Sequence, residues 1–158
     1  MDRDRTDGKT LAQKLAFLFG VTFLLAGIAG FIPGITTNLY DGLEFAGDDG
    51  NAELLGLFKV SVLHNIVHAL FAIGILMAAT HRGALKYLLY SGILYIVLFV
   101  MGIVDLGDWV PIDNTDNYLH IGLALGLLGA WAASKGAEDP DHRASGDRDR
   151  DRMGTTPA

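Results

Sequence analysis

The sequence predicts an all-α integral membrane protein, a four-helix bundle built as two helical-hairpin pseudo-repeats with both termini in the cytoplasm. Three observations carry this expectation. First, 51% of the 158 residues are hydrophobic and mean hydropathy is +0.34, yet 19% are charged. The charges collect mainly in residues 1–14, 40–53, 105–116 and beyond Ser134, leaving four apolar runs between them. Each run approaches the about 20 helical residues that a hydrocarbon core requires. Second, Leu15 to Ile32 and Tyr87 to Val104 contain no charged residue, whereas helices of a soluble bundle each keep a polar face. Third, the pattern Asn, two residues, His, five residues, Gly occurs twice in apolar surroundings, at Asn65, His68 and Gly74 and again at Asn117, His120 and Gly126.

Residues 1–10 form a charged segment expected to be disordered. The first helix spans 11–32 and stops at Pro33-Gly34. Basic residues Arg3, Arg5, Lys9 and Lys14 precede it as they would a signal peptide, but the run is too long for an h-region and no small-x-small cleavage site ends it. Residues 35–53 read as an acidic loop whose Leu39, Tyr40, Leu43 and Phe45 suit a short lid or interfacial helix. The acids of this loop match no calcium-binding loop.

The second helix is expected over 54–80, with Lys59 snorkelling at its outer end. His81, Arg82 and Gly83 read as a tight connection to a third helix over 85–104, where Tyr87 and Tyr90 suit interfacial anchors. The fourth helix is expected over 115–134, capped by Thr115 or Asp116, and Gly122, Gly126 and Ala130 offer a small-residue seam for a neighbour. Residues 135–158 are low in complexity, mixed in charge and expected to be disordered.

All Lys and Arg except Lys59 lie near the N-terminus, in the 80–86 connection or in the C-terminal tail. The positive-inside rule then sets these segments in the cytoplasm and loops 35–53 and 105–116 outside. The halves correspond helix by helix. Gly20 and Gly30 of the first helix match Gly92 and Gly102 of the third, and the Asn-His-Gly pattern links the second to the fourth. Two crossings per half make the repeat parallel.

His68 and His120 both fall about 18 to 21 Å from the cytoplasmic boundary, slightly beyond the midplane. Polar residues at this depth face protein or a watery cavity. The expected site is a cluster of His64, Asn65, His68, Asn117 and His120, with Asp105 at its mouth. Its simplest role is interhelical hydrogen bonding, which holds helices in register at about 0.6 to 2 kcal/mol per bond. The corresponding function is a small structural or accessory membrane component. Alternatives are haem iron held between His68 and His120, a divalent metal held by His64 and His68 with Asp105, a small ligand, or a proton relay through histidine.

No catalytic constellation is identifiable. The absence of cysteine excludes disulfides and thiolate chemistry. With a formal net charge of −6 and no clustered basic face, no nucleic-acid partner is expected. The expected partners are the lipid bilayer and a homo-oligomer or larger membrane complex.

Over Leu54 to Leu76 (LLGLFKVSVLHNIVHALFAIGIL) and Asn114 to Gly129 (NTDNYLHIGLALGLLG) the chain resembles the domain of unknown function 4383 family, small four-helix bacterial membrane proteins without an assigned activity. The resemblance covers about residues 11–134 and rests on the Asn-x-x-His pairs. It implies the four-helix topology and transfers no catalytic or binding residue.

Overall fold

The computed structural model describes residues 8–47, 49–104, 114–137 and 139. Helices dominate, so the fold is all-α with a small sheet inserted after the first helix. Helix α1 covers Leu11–Ala29. Thr10 begins it through a capping box: its hydroxyl accepts from the Gln13 backbone N–H at 3.3 Å, and Gln13 Oε1 accepts from the Thr10 N–H at 2.9 Å. At the other end Thr36 Oγ1 donates to the Ala29 carbonyl at 3.0 Å, satisfying one of the acceptors a helix end leaves unpaired.

Strands β1 (Thr36–Thr37), β2 (Glu53–Leu54) and β3 (Phe58–Lys59) pair antiparallel in that order, with the short helix α2 (Leu39–Gly42) between the first two. The second long apolar run therefore does not begin as helix at residue 54. Leu55 and Gly56 adopt positive φ (56° and 66°) in the turn between β2 and β3, a conformation that interrupts a right-handed helix. The helix starts at Val62 instead, where the Ser61 hydroxyl accepts from the His64 N–H at 3.1 Å. The next free donors of that end, Val62 N–H and Leu63 N–H, reach the carbonyls of Glu44 and Phe45 at 3.0 and 2.9 Å. The loop is thus stitched onto the helix it precedes.

That helix is broken once. Helix α3 (Val62–Phe71) and helix α4 (Ile73–Met77) meet at Ala72, where Ile75 N–H bonds the Ala72 carbonyl at 2.9 Å instead of the Phe71 carbonyl one turn back. The Phe71 carbonyl so released accepts from Tyr87 Oη at 3.1 Å. Side-chain insertion of this kind is a recognised cause of a helix break.

Tyr87 is consequently a buried residue, 5% exposed, and not an interfacial anchor; Tyr90, 64% exposed, faces outward. Helix α5 runs His81–Ile103, starting four residues before the expected position because Thr80 caps it, its hydroxyl accepting from Gly83 N–H at 3.0 Å. The expected connection of His81, Arg82 and Gly83 is its first turn. Helix α6 covers Asn114–Ser134.

Helix α1 packs on α3, α4 and α5, and α5 packs on α6 along much of its length. The core between them holds Phe23, Leu88, Tyr95 and Leu127 with Ala12, Ala16, Ala84 and Ala124. Alanine and glycine at these positions let the backbones approach closely. Gln13 joins α1 to the corner between α4 and α5 by donating through Nε2 to the carbonyls of Ala78 and Ala79 at 3.2 and 3.1 Å.

Removing the Tyr87 hydroxyl deprives the part-buried Phe71 carbonyl of this partner, so Tyr87→Phe is expected to destabilise the protein by about 0.5–1.5 kcal/mol. Tyr90→Phe is expected to change stability by less than about 0.5 kcal/mol, since it alters an exposed group. Thermal unfolding in detergent measures both.

Candidate functional site

The local structure around the histidines follows from the Ser61 cap. By fixing where α3 begins, it sets His64 and His68 one turn apart on one face. Their rings stack with centroids 4.6 Å apart, and His64 Nε2 lies 2.9 Å from His68 Nε2, a hydrogen bond. His120, projecting from α6 and 5% exposed, lines the same cavity as both of them. The cavity measures about 240 Å³ and is walled by α3, α5 and α6, chiefly by apolar side chains such as Phe71, Leu94, Tyr95 and Leu98.

Aromatic rings hold the histidines from behind. Phe23 on α1 meets His68 edge-on at 5.6 Å, and Tyr95 on α5 meets His120 at 5.4 Å. Phe23 and Tyr95 stack on each other at 5.6 Å with planes 9° apart. Tyr95 stands to Gly92 and Gly102 as Phe23 stands to Gly20 and Gly30. Neither aromatic residue was picked out from the sequence, although that shared spacing is a usable signal.

A bond between two Nε2 atoms makes one imidazole the donor and the other the acceptor. With both rings neutral, the accepting ring carries its proton on Nδ1 and the donating ring has a bare Nδ1. The Nδ1 atoms of His64, His68 and His120 are all buried without a hydrogen-bond partner. Each such group carries a desolvation cost of about 1–3 kcal/mol.

The asparagines lie elsewhere. Asn65, 1% exposed, packs its amide against Gly30 of α1 so closely that a Cβ at Gly30 would strike Oδ1, Cγ and Nδ2. Asn117, half-buried, packs against Gly102 of α5 in the same manner. The other glycine of each helix also meets the partner helix at the corresponding place: Gly20 abuts the backbone of Gly74 and Ile75, while Gly92 abuts the side chains of Leu127 and Leu128. The expected single cluster is therefore divided, with three histidines in a central cavity and each asparagine inside a helix pair. Asn65 Nδ2 and Asn117 Oδ1 have no hydrogen-bond partner and serve as packing wedges as much as hydrogen-bonding groups.

Asp116, read from the sequence as a helix cap, is 2% exposed in the first turn of α6, on the face it shares with His120 one turn on. A carboxylate there is favoured by the helix dipole. Asp105 lies outside the described residues. Among the described residues no three His, Cys, Asp or Glu side chains are gathered in a way that would hold a metal ion. Of the small residues expected to form a seam on α6, Gly122 has open space where a side chain would stand, and Ala130 packs on the core.

A family model described as "Domain of unknown function (DUF4383)" matches residues 13–132. No curated protein and no solved structure matches the chain.

The wedge contacts predict a graded response to small side chains. Gly30→Ala is expected to destabilise by about 1–3 kcal/mol, the usual cost of overpacking, because fully buried Asn65 has no room to move. Gly102→Ala is expected to cost less, since Asn117 is only half-buried. Gly122→Ala, where nothing lies within 4 Å of the added carbon, should leave the melting temperature unchanged or slightly raised. Melting curves of the three variants in one detergent test the order.

Proposed function

We propose that this chain, which belongs to the DUF4383 family, is an integral protein of the cytoplasmic membrane that crosses it four times and acts as a small structural or accessory component. The observation that supports this best is its apolar surface. Leu18 and Leu25 on α1, Leu70 on α3, Leu76 on α4, Ile103 on α5 and Leu125 on α6 are 59 to 74% exposed. A water-soluble monomer does not sustain such a surface on every helix.

Helices α1 and α5 are both long and apolar enough to cross a membrane, and only a third of the most apolar stretch of each is buried inside the protein. A core helix of a soluble domain would be mostly covered. In this reading α1, which supplies Phe23, Ala12 and Ala16 to the core, is one of the four resident helices.

Three of the four helical segments have the length of a full crossing. At about 1.5 Å per residue, α1, α5 and α6 span roughly 28, 34 and 31 Å against a 30 Å hydrocarbon core. Residues 62–77 span only about 24 Å, a shortfall met by local thinning or by the sheet at the outer end. The matched contacts support a duplicated hairpin: Asn65 on Gly30 and Asn117 on Gly102, Gly20 on Ile75 and Gly92 on Leu127, Phe23 on His68 and Tyr95 on His120. In this reading the asparagines keep each hairpin in register.

The chain contains no cysteine, so single cysteines report topology against a silent background. Asp41→Cys and Thr115→Cys, both at exposed positions, are expected to react with a membrane-impermeant maleimide on intact cells. Lys135→Cys, also exposed, should react only after permeabilisation. Protection of Thr115→Cys in intact cells would reduce the crossings to two, and the reverse pattern throughout would invert the orientation.

A further inference from the structure

We infer that the β2–β3 hairpin is a lipid anchor: its tip, Leu55-Gly56-Leu57, dips into the outer leaflet of the bilayer beside the end of α1. This rests on the membrane reading and adds to it a contact with lipid that is made by a turn and not by a helix.

Composition and conformation set the tip apart. Leu55 is 65% exposed and Leu57 is 59% exposed. Leu55 also holds φ at +56°, where a side chain crowds the backbone and glycine is the usual occupant. A leucine in that place is strained, and within the protein it gains little burial in return. Glu53 and Lys59 stand opposite each other across the hairpin, so the charges lie behind the tip and the tip itself carries none. Hairpin turns that face water are commonly built from Gly, Asn and Asp. Two exposed leucines around one glycine suit a hydrocarbon solvent instead.

Hydrogen bonds fix the height of the tip. Thr36 Oγ1 donates to the Ala29 carbonyl at the end of α1 at 3.0 Å, and Leu55 N–H donates to the Ile35 carbonyl at 2.8 Å. The tip is thereby tied to the last turn of a helix whose length nearly equals the thickness of the hydrocarbon core, which sets it at the outer boundary of that core. The other end of the hairpin gives the same level. Strand β3 leads through Val60 and Ser61 into α3. With the inner end of the 62–77 segment at the inner boundary, its outer end starts about 6 Å below the outer one. Strand β3 thus enters at the edge of the hydrocarbon, where its pairing with β2 satisfies backbone groups that lipid does not.

The apolar surface is continuous from helix to hairpin. Ile28 on α1 and Phe31, Ile32 and Ile35 beyond it are exposed and prolong the band begun by Leu18 and Leu25. No charged residue occurs from Leu15 to Tyr40 to interrupt it.

The cysteine-free chain accepts one nitroxide at a time. The Leu55→Cys, Leu57→Cys, Asp41→Cys and Leu25→Cys proteins are spin-labelled and reconstituted, with no other protein, into vesicles of equimolar palmitoyl-oleoyl phosphatidylethanolamine and phosphatidylglycerol. Oxygen concentrates in hydrocarbon and a neutral nickel chelate stays in water, so the relaxation each causes reports the surroundings of the label. Labels at 55 and 57 are expected to lose most of the nickel effect seen at Asp41, which is exposed in the preceding loop, and to show an oxygen effect approaching that at Leu25, exposed on α1. Adding Leu55→Asp to the Leu57→Cys protein should restore the nickel effect at 57, because aspartate tolerates the positive φ and resists immersion.

Nickel relaxation at 55 or 57 equal to that at Asp41 would overturn the anchor and leave the leucines to a protein partner absent from these vesicles. Immersion at 57 that persists beside Leu55→Asp would also overturn it, since the label and not the tip would then supply the affinity. Nickel access at Leu25 would instead overturn the membrane reading itself, so the two failures are told apart.

Discussion

The fold depends on how closely two backbones approach at glycine. Gly20 and Gly27 admit the backbone of the following segment at Ile75 and at Asn65 and Ala69, and Gly30 then receives the Asn65 amide as a wedge. Approach this close leaves no freedom to rotate α3 about its axis. With Asn65 committed to α1, His64 and His68 fall on the face that looks toward α5 and α6, beside His120. The position of the cavity is thus a by-product of the asparagine contact. The same logic operates in the second half, where Asn117 is committed to Gly102 and His120 is left facing inward.

Much of this was legible in the sequence and some was not, for identifiable reasons. Uncharged apolar runs reveal long helices because nothing in their composition offers an alternative. The recurring Asn-His-Gly pattern pointed to the right residues. It also suggested one polar cluster, since residues three apart in a helix share a face. That face is wide enough for Asn65 to meet α1 and His68 to meet the cavity, and periodicity alone does not resolve the difference.

The boundary at Ser61 was missed because Leu54 to Val60 is itself apolar; what ends the helix there is the positive φ of Leu55 and Gly56 and a hydroxyl cap, which hydropathy does not register. Tyr87 looked like an interfacial tyrosine by position, and only the break at Ala72, with its released carbonyl, explains why it is buried.

The two halves differ most where chemistry would be done. Phe23 faces Tyr95 across the stack, and His64 occupies the place that Asp116 takes in the second half. Gly20, Gly30 and Asn65, by contrast, have counterparts of the same kind in Gly92, Gly102 and Asn117, although Gly27 is replaced by Phe99. A scaffold kept by small residues and a seam varied in its polar residues is the arrangement expected when only the seam is free to acquire a specific ligand.

The corner formed by Thr10, Gln13, Ala78, Ala79 and His81 carries a consequence for how such a chain can grow. Thr10 Oγ1 is 2.9 Å from His81 Nδ1, and Gln13 holds the two carbonyls just before that histidine. The first hairpin therefore begins and ends at one point in space, and the next helix starts there with no linker to traverse. A unit whose ends coincide can be joined in tandem to a copy of itself through a joint of three residues, Ala78 to Thr80, without disturbing its interior.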